Sequence, residues 1–121
     1  MADKRVLIVE DEFIIAEALS VMIKDMGMQV CGRAADADRA VSLAHQHQPD
    51  LVLMDVRLKG TKDGVDAALA ICATKSTPII YITGSREPSA VARINTDHPA
   101  GILFKPIQSA ELKEMIQQVT G

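Results

Sequence analysis

The amino-acid sequence predicts an α/β fold in which five parallel strands form a doubly wound sheet with helices on both faces. Five short apolar runs alternate along the 121-residue chain with segments of helical periodicity. Aromatic residues make up only 2% of the chain, so Val, Ile, Leu, Met and Ala must build the core, which suits a packed α/β domain better than a β-sandwich. Such alternation implies right-handed crossovers, and the usual strand order for five units is 2-1-3-4-5.

The predicted strands occupy residues 6–9, 29–32, 51–54, 79–82 and 101–104. The first, third and fourth runs are almost continuously apolar, as is typical of parallel strands that are buried on both faces. The second run mixes polar and apolar residues, which predicts a strand at the edge of the sheet. The length of the chain fits one domain spanning residues 1–121.

The predicted helices occupy residues 13–25, 36–47, 63–73, 88–96 and 109–119. Asp36 and Asp63 can cap the second and third helices, because a side-chain oxygen there accepts a free backbone N–H group. The fourth helix is expected to be short and mobile, since residues 95–97 make a poor last turn. The apolar residues expected to form the inward stripes are Ile14, Ala18, Val21 and Met22 in the first helix, Ala40, Leu43 and Ala44 in the second, Val65, Leu69 and Cys72 in the third, Val91 and Ile94 in the fourth, and Leu112, Met115, Ile116 and Val119 in the fifth.

Polar and small residues follow four of the five predicted strands. They are Glu10, Asp11 and Glu12 after the first strand, Asp55 after the third, Thr83 and Gly84 after the fourth, and Lys105 and Pro106 after the fifth. In a parallel sheet the carboxyl ends of these strands meet at one rim, so the side chains should face a common pocket. Each feature alone has an ordinary alternative, such as a solvated acidic turn before a helix. Their combination at four strand ends favours a functional site.

Clustered carboxylates raise one another's pKa unless a cation neutralises them, and oxygen ligands with room for water point to Mg²⁺. Lys105 adds further positive charge to the same rim. A phosphoryl group suits this arrangement, because the metal and the lysine can hold its oxygens, the Thr83 hydroxyl can donate a hydrogen bond, and a carboxylate can attack phosphorus.

The residues at 7–12, 51–58, 81–84 and 105–106 resemble the receiver domain of response regulators in two-component signalling. The similarity extends to the chemotaxis signalling protein that consists of this domain alone, and it covers essentially the whole chain, which implies a flavodoxin-like topology. It also implies that Asp55 is the phosphoacceptor, that Asp11 binds Mg²⁺ directly and Glu10 mostly through water, and that the backbone carbonyl of Arg57 is a further metal ligand.

The resemblance implies roles for the remaining rim residues as well. Thr83 and Lys105 would bind phosphoryl oxygens, Gly84 would leave room for the phosphoryl group or water, and the Lys105–Pro106 bond would be cis.

Two positions depart from the family pattern. Glu10 stands where the family usually has aspartate, and Ile102 stands at the switch position where it usually has Tyr or Phe, so the coupling of phosphorylation to output is not the usual aromatic one.

The function implied by the resemblance is that of a stoichiometric phosphoacceptor rather than an enzyme, with at most slow self-dephosphorylation. A sensor histidine kinase or a histidine phosphotransfer protein would donate the phosphoryl group, and an unknown partner would respond to the change. The main alternative is a receiver-like scaffold that binds partners without phosphorylation. An aspartate-nucleophile phosphohydrolase is disfavoured because Arg57 occupies the place of its second aspartate, and a flavin carrier because the chain has no phosphate-binding loop.

Charge and hydropathy restrict the partners further. The net charge is −3, so the overall charge does not indicate direct binding to nucleic acid or to an anionic membrane. No apolar run approaches the roughly 20 residues that span a bilayer, and no signal peptide is evident, so we expect a cytoplasmic protein. The family can also form weak homodimers. The sequence leaves open which kinase and target are used, and whether the chain stands alone or is part of a longer protein.

Overall fold

The computed structural model describes residues 4–84, 88–95 and 99–120 of the chain. Its strands are Arg5–Val9 (β1), Gln29–Ala34 (β2), Leu51–Asp55 (β3), Ile79–Thr83 (β4) and Gly101–Phe104 (β5). Its helices are Phe13–Asp25 (α1), Ala37–His47 (α2), Gly64–Thr74 (α3), Pro88–Asn95 (α4) and Ser109–Thr120 (α5). Residues 96 and 97, on which part of the fourth-helix prediction rested, lie outside the described residues.

All strand pairs are parallel, and the sheet order is β2-β1-β3-β4-β5, which confirms the predicted topology with β2 at an edge. Asp36 and Asp63 cap α2 and α3 as predicted. The Asp36 side chain accepts the Arg39 N–H, and Asp63 forms a reciprocal capping box with Asp66. Each cap contributes about 1 kcal/mol to stability. The β3–α3 connection therefore ends at a defined residue, directly beside the carboxyl end of β3.

Two apolar clusters cover the two faces of the sheet. The cluster on one face joins α1 and α5 to alternate strand residues that include Val6, Ile8, Leu51, Leu53, Ile80 and Ile82. The other joins α2, α3 and α4 to strand residues that include Leu7, Val9, Val52, Met54, Ile79 and Tyr81. Because successive strand side chains point to opposite faces, central strands covered on both sides must be apolar at every position. None of the helices in the described ranges is long and apolar enough to cross a membrane.

The predicted inward stripe of α1 is wrong. Ile14 and Val21 are exposed, at 81% and 50%, and Phe13 at the start of the helix is 73% exposed. The residues that α1 buries are Ala16, Leu19, Ser20 and Ile23. Both sets have helical spacing in a helix that is apolar nearly all round, so periodicity alone could not separate them. The buried set also contains Ser20, a polar residue.

The prediction for α3 is wrong at one residue. Leu69 is 46% exposed, whereas the smaller Ala67 and Ala68 and the branched Ile71 are buried. Small side chains at the inner face allow a helix to lie close to its neighbours, so the largest apolar residue of α3 was not the best guide to its inner face. The inward residues predicted for α2 are buried, as are Ile94 of α4 and Leu112 and Ile116 of α5.

Candidate functional site

The carboxyl ends of the strands bring the predicted polar residues to one rim. Asp55 is the last residue of β3 and Thr83 the last of β4, and they are only 5% and 3% exposed. Glu10 follows β1, and its N–H donates to the Ala34 carbonyl at 2.9 Å. Lys105 follows β5, and its N–H donates to the Thr83 carbonyl at 2.8 Å. Sheet hydrogen bonding thus continues to the site residues and holds their main chains in place.

Three carboxylates form a cluster at this rim. Ligand oxygens of Glu10, Asp11 and Asp55 all lie within 4.8 Å of one another. The ammonium of Lys105 enters the same cluster, with Nζ 2.6 Å from Glu10 Oε1 and 3.1 Å from Asp55 Oδ2. The contact with Asp55 is an aligned hydrogen bond. The contact with Glu10 is shorter, and it pairs the ammonium with a carboxylate whose side chain is 1% exposed.

The charges and the burial in the cluster raise two pKa values, and both contributions to stability decline as pH rises. Burial, followed by Asp55, raises the pKa of Glu10. The folded chain then binds a proton more readily than the unfolded chain, so the contribution of Glu10 to stability falls as pH rises from its unfolded to its folded pKa. Burial alone would lower the pKa of Lys105, but Glu10 and Asp55 outweigh it and raise the pKa. The contribution of Lys105 is therefore complete below its unfolded pKa and is lost as pH rises through the folded pKa.

The donor set fits a hard divalent cation. All candidate ligands are carboxylate oxygens, which Mg²⁺ prefers, and Asp11 keeps the cluster partly open to water. Glu10 Oε1 is buried, and the cation it meets in the chain is the Lys105 ammonium at 2.6 Å. One lysine does not balance three carboxylates, so the cluster retains net negative charge. Glu10, Asp11 and Asp55 are the residues that would hold the ion.

The other predicted residues lie around this cluster. The backbone N–H of Arg57 donates to Asp55 Oδ1 at 3.4 Å, so the main chain of Arg57 lies beside the Asp55 carboxylate. The Arg57 side chain is exposed. A Cβ atom built on Gly84 would meet nothing within 4 Å, so the space beside Thr83 is open. The Lys105–Pro106 peptide bond is cis, as predicted. Ile102 pairs with Tyr81 across the sheet and packs half-buried against the cluster on the α2–α4 face.

Gly64 is a site residue that the sequence analysis missed. It is the first residue of α3, and its N–H donates to the Val56 carbonyl at 2.7 Å. A Cβ atom at Gly64 would lie 2.0 Å from the backbone carbonyl oxygen of Asp55, so only glycine lets α3 begin this close to Asp55. The available signal was a glycine directly after the helix-capping Asp63, inside the predicted helix at residues 63–73.

An apolar groove of about 510 Å³ borders the rim beside Lys105. Residues of α1 and of the β5–α5 connection line it, among them Ile14, Ile15, Met22, Pro106 and Ile107. The same end of α1 carries the exposed Phe13, whose ring packs 5.0 Å from the guanidinium of Arg33. Large exposed apolar side chains that adjoin a polar site are typical of surfaces that bind a partner.

Comparison with known proteins agrees with this geometry. Residues 6–117 match a family described as the response regulator receiver domain. The chain is 37% identical over 114 residues to the transcriptional regulatory protein PdtaR of Mycobacterium tuberculosis, a match that covers 94% of the chain and 55% of PdtaR. It is 32% identical over 114 residues to the phyllosphere-induced regulator PhyR of Methylorubrum extorquens, covering 93% of the chain and 42% of PhyR. The chain thus spans about half the length of these relatives.

Solved structures show the same fold. The signal receiver domain of a modulated diguanylate cyclase from Desulfovibrio desulfuricans superposes with a TM-score of 0.92 at 33% identity, covering 98% of this chain and 94% of that one. The receiver domain of the PhyR response regulator from Erythrobacter litoralis gives a TM-score of 0.88 at 29% identity, with 98% and 91% covered.

Proposed function

This chain belongs to the response regulator receiver domain family, which acts in two-component signalling, and from that premise we propose that Asp55 accepts a phosphoryl group in a Mg²⁺-dependent reaction. The observation that carries the proposal is the position of the Asp55 carboxylate, which is buried at the rim, 3.1 Å from the Lys105 ammonium and within 4.8 Å of two further carboxylates. The phosphodonor is a sensor histidine kinase or a histidine phosphotransfer protein, and the reaction takes place in the cytoplasm.

The chemistry is the transfer of a phosphoryl group from a histidine nitrogen to a carboxylate oxygen. An Asp55 oxygen forms a bond to phosphorus while the N–P bond breaks, and the imidazole keeps the electron pair and takes a proton from solvent. The product is an acyl phosphate on Asp55. Lys105 stabilises the charge on the transferred oxygens, and the Thr83 hydroxyl donates to one of them. Mg²⁺, when bound, supplies the remaining positive charge.

The chain acts as a stoichiometric acceptor rather than as an enzyme with turnover. The position two residues after Asp55, where an aspartate-nucleophile phosphohydrolase has its second aspartate, holds Arg57, whose side chain points to solvent. Phosphorylation then shifts the equilibrium between two existing conformations, and an unidentified partner reads the result. Because Ile102, half-buried against the core, stands in place of an aromatic ring, the proposal assigns the change to Thr83 and α4.

The test is the intact mass of the protein after incubation with acetyl phosphate and Mg²⁺. We expect a labile gain of one phosphoryl group, about 80 Da, that disappears in Asp55→Asn and in the presence of EDTA. Asparagine matches aspartate in shape but cannot form an acyl phosphate. If neither acetyl phosphate nor a phosphohistidine protein adds mass, the proposal fails and a scaffold that works without phosphorylation becomes the better reading.

Docking of the phosphodonor on the apolar groove gives a separate prediction. Ile14→Asp is expected to slow phosphoryl transfer from a phosphorylated histidine phosphotransfer protein about tenfold or more, since one exposed anchor often carries over 1 kcal/mol of binding energy. Transfer from acetyl phosphate should be unchanged, because this small donor needs no docking surface. Quenched time courses of phosphoryl transfer from both donors measure the difference in rate.

Leu69→Asp is the matched control, because Leu69 is also exposed and apolar but lies on α3 at the opposite face of the sheet. It should leave transfer from both donors unchanged. Equal slowing by Ile14→Asp and Leu69→Asp would show that the groove is not the docking surface.

A further inference from the structure

The two oxygens of the Asp55 carboxylate have different partners. Oδ2 accepts a hydrogen bond from the Lys105 ammonium at 3.1 Å, whereas Oδ1 accepts the backbone N–H of Arg57 at 3.4 Å. Arg57 belongs to the β3–α3 connection, residues 56–63, which follows Asp55 directly. A change at Oδ1 therefore acts on the main chain of this connection.

The β3–α3 connection is in turn bonded to the start of α2. The Lys59 N–H donates to the Ala35 carbonyl at 3.3 Å, and Lys59 pairs with Asp36 as a parallel bridge outside the five strands. Since β1 lies between β2 and β3, this contact joins two segments that follow separated strands. Asp36 is also the N-cap of α2, and its side chain accepts the Arg39 N–H at 2.7 Å. Three hydrogen bonds thus lead from the Asp55 carboxylate to the first turn of α2.

This link between the site and α2 has room to rearrange. N–H···O bonds in proteins are usually no longer than about 3.2 Å, and two of the three bonds exceed that length. The β2–α2 and β3–α3 connections also line a cleft of about 490 Å³. Gly60, within the β3–α3 connection, has a φ of +92° and open space where a Cβ atom would lie. The ion pair between Lys62 and Asp38 joins the same two connections, but both side chains are exposed, so it adds little.

We propose that the β3–α3 connection carries the charge state of Asp55 to the start of α2, by a route separate from Thr83 and α4. This inference rests on the proposed function in one respect, because it takes Asp55 to be the residue whose charge changes in signalling. In an acyl phosphate, Oδ1 is no longer part of an anionic carboxylate, whichever oxygen is bonded to phosphorus. Hydrogen bonds to ionised acceptors are about twice as strong as those to neutral ones, so the bond from the Arg57 N–H is altered.

The first turn of α2 is where this change reaches the surface. Ala37 and Ala40 are buried, at 3% and 0% exposure, and they hold the helix against the core. Asp38 and Arg39, which lie between them, are exposed. A change in the N-cap therefore alters an exposed turn while the inward residues keep the helix in place.

The test is amide hydrogen exchange, followed by NMR, in the natural protein and in Asp55→Asn. Asparagine keeps the shape of aspartate but removes its charge, so it weakens the acceptor of the Arg57 N–H without any phosphorylation. We expect the Lys59 and Arg39 amides to exchange about threefold faster or more in Asp55→Asn. The Leu112 amide, in the first turn of α5 on the other face of the sheet, should be unchanged. Natural exchange rates at both Lys59 and Arg39 would overturn the proposal.

Lys59→Pro tests the route itself, because proline has no backbone N–H to donate to Ala35. In that background, Asp55→Asn should no longer change the exchange of the Arg39 amide. Lys59→Ala is the matched control, since it removes the same side chain but keeps the N–H, and it should preserve the response. An equal response in Lys59→Pro would mean that the change reaches α2 by another path. If Lys59→Pro does not fold, the comparison of Asp55→Asn with the natural protein still decides the question.

Phosphorylation separates this inference from the proposed function. The backbone amide signals of Lys59 and Arg39 should move when the natural protein is incubated with acetyl phosphate and Mg²⁺, relative to Mg²⁺ alone. Phosphorylation that leaves both signals in place would reject the route alone. Faster exchange in Asp55→Asn, together with a natural protein that gains no phosphoryl group, would support the route and reject the phosphoacceptor.

Discussion

Replacement of Gly64 by alanine is expected to lower the free energy of unfolding by about 3 kcal/mol and the melting temperature by about 10 °C. The added Cβ atom would lie 2.0 Å from the Asp55 carbonyl oxygen and 3.0 Å from the Asp55 carbonyl carbon. Both are backbone atoms, so either the end of β3 or the start of α3 must move. The gain in helix propensity from glycine to alanine, at most about 1 kcal/mol, does not offset this displacement.

Gly101→Ala is the matched control for that prediction. A Cβ atom there would lie 2.3 Å from Met115 Sδ, but a thioether near the end of a flexible side chain can rotate away. We expect a loss of less than about 1 kcal/mol. Urea denaturation of both variants measures the difference, and equal losses would show that the contact with the Asp55 backbone is not what requires glycine at position 64.

Gly64→Ala should also slow phosphorylation of Asp55 at temperatures where the variant is folded. The clash is with the main chain of Asp55, the proposed acceptor, and a displacement of about 1 Å in a reacting group can reduce a rate about a hundredfold. Gly101→Ala should leave that rate nearly unchanged, because Gly101 lies at the opposite end of β5 from Lys105. A folded Gly64→Ala variant that is phosphorylated at the natural rate would contradict the positioning role of Gly64.

The topology and the rim could be predicted from sequence because both follow from where apolar runs end. A continuously apolar strand such as β3 is required by burial on both faces, so the first polar residue after it marks the carboxyl end of the sheet. Asp55 and Thr83 are the last residues of their strands and lie at that end, and Lys105 is joined to Thr83 by a backbone hydrogen bond. Only parallel pairing was needed to bring these residues together.

The pairing inside the rim could not be predicted in this way. The Lys105 Nζ atom lies 2.6 Å from Glu10 Oε1 and 3.1 Å from Asp55 Oδ2, a difference of 0.5 Å. The pattern of apolar residues in the sequence carries no information about distances at this scale. The role of Gly64 was missed for a related reason, because close approach of two backbones leaves no mark in an apolar pattern. The predicted inward face of α1 was wrong because the set of residues that contains Ile14 and the set that contains Leu19 both repeat with the helical period. The period alone therefore does not say which set faces the sheet.

Loss of the Lys105 ammonium is expected to lower the free energy of unfolding when Mg²⁺ is absent, and much less when Mg²⁺ is present. In EDTA, Lys105→Met leaves buried carboxylates without their counter-charge, and we expect a loss of about 3 kcal/mol in the free energy of unfolding. Added Mg²⁺ should restore most of this loss, because a ligand that binds only the folded state stabilises it. Urea denaturation with EDTA and with Mg²⁺ measures both values. Lys62→Met, which removes an exposed lysine paired with Asp38 at 3.1 Å, should be nearly neutral in both.

The same Lys105→Met variant should be phosphorylated more slowly even when Mg²⁺ is saturating. Removing one group that stabilises charge in a transition state costs about a hundredfold in rate. If Lys105 binds the transferred oxygens as proposed, it stabilises the same transition state in both directions, so dephosphorylation should slow as well. Quenched time courses with acetyl phosphate at saturating Mg²⁺ separate this effect from metal affinity. A natural rate at saturating Mg²⁺ would mean that Lys105 only balances the carboxylates, whereas slowing that persists there assigns it to the transfer step itself.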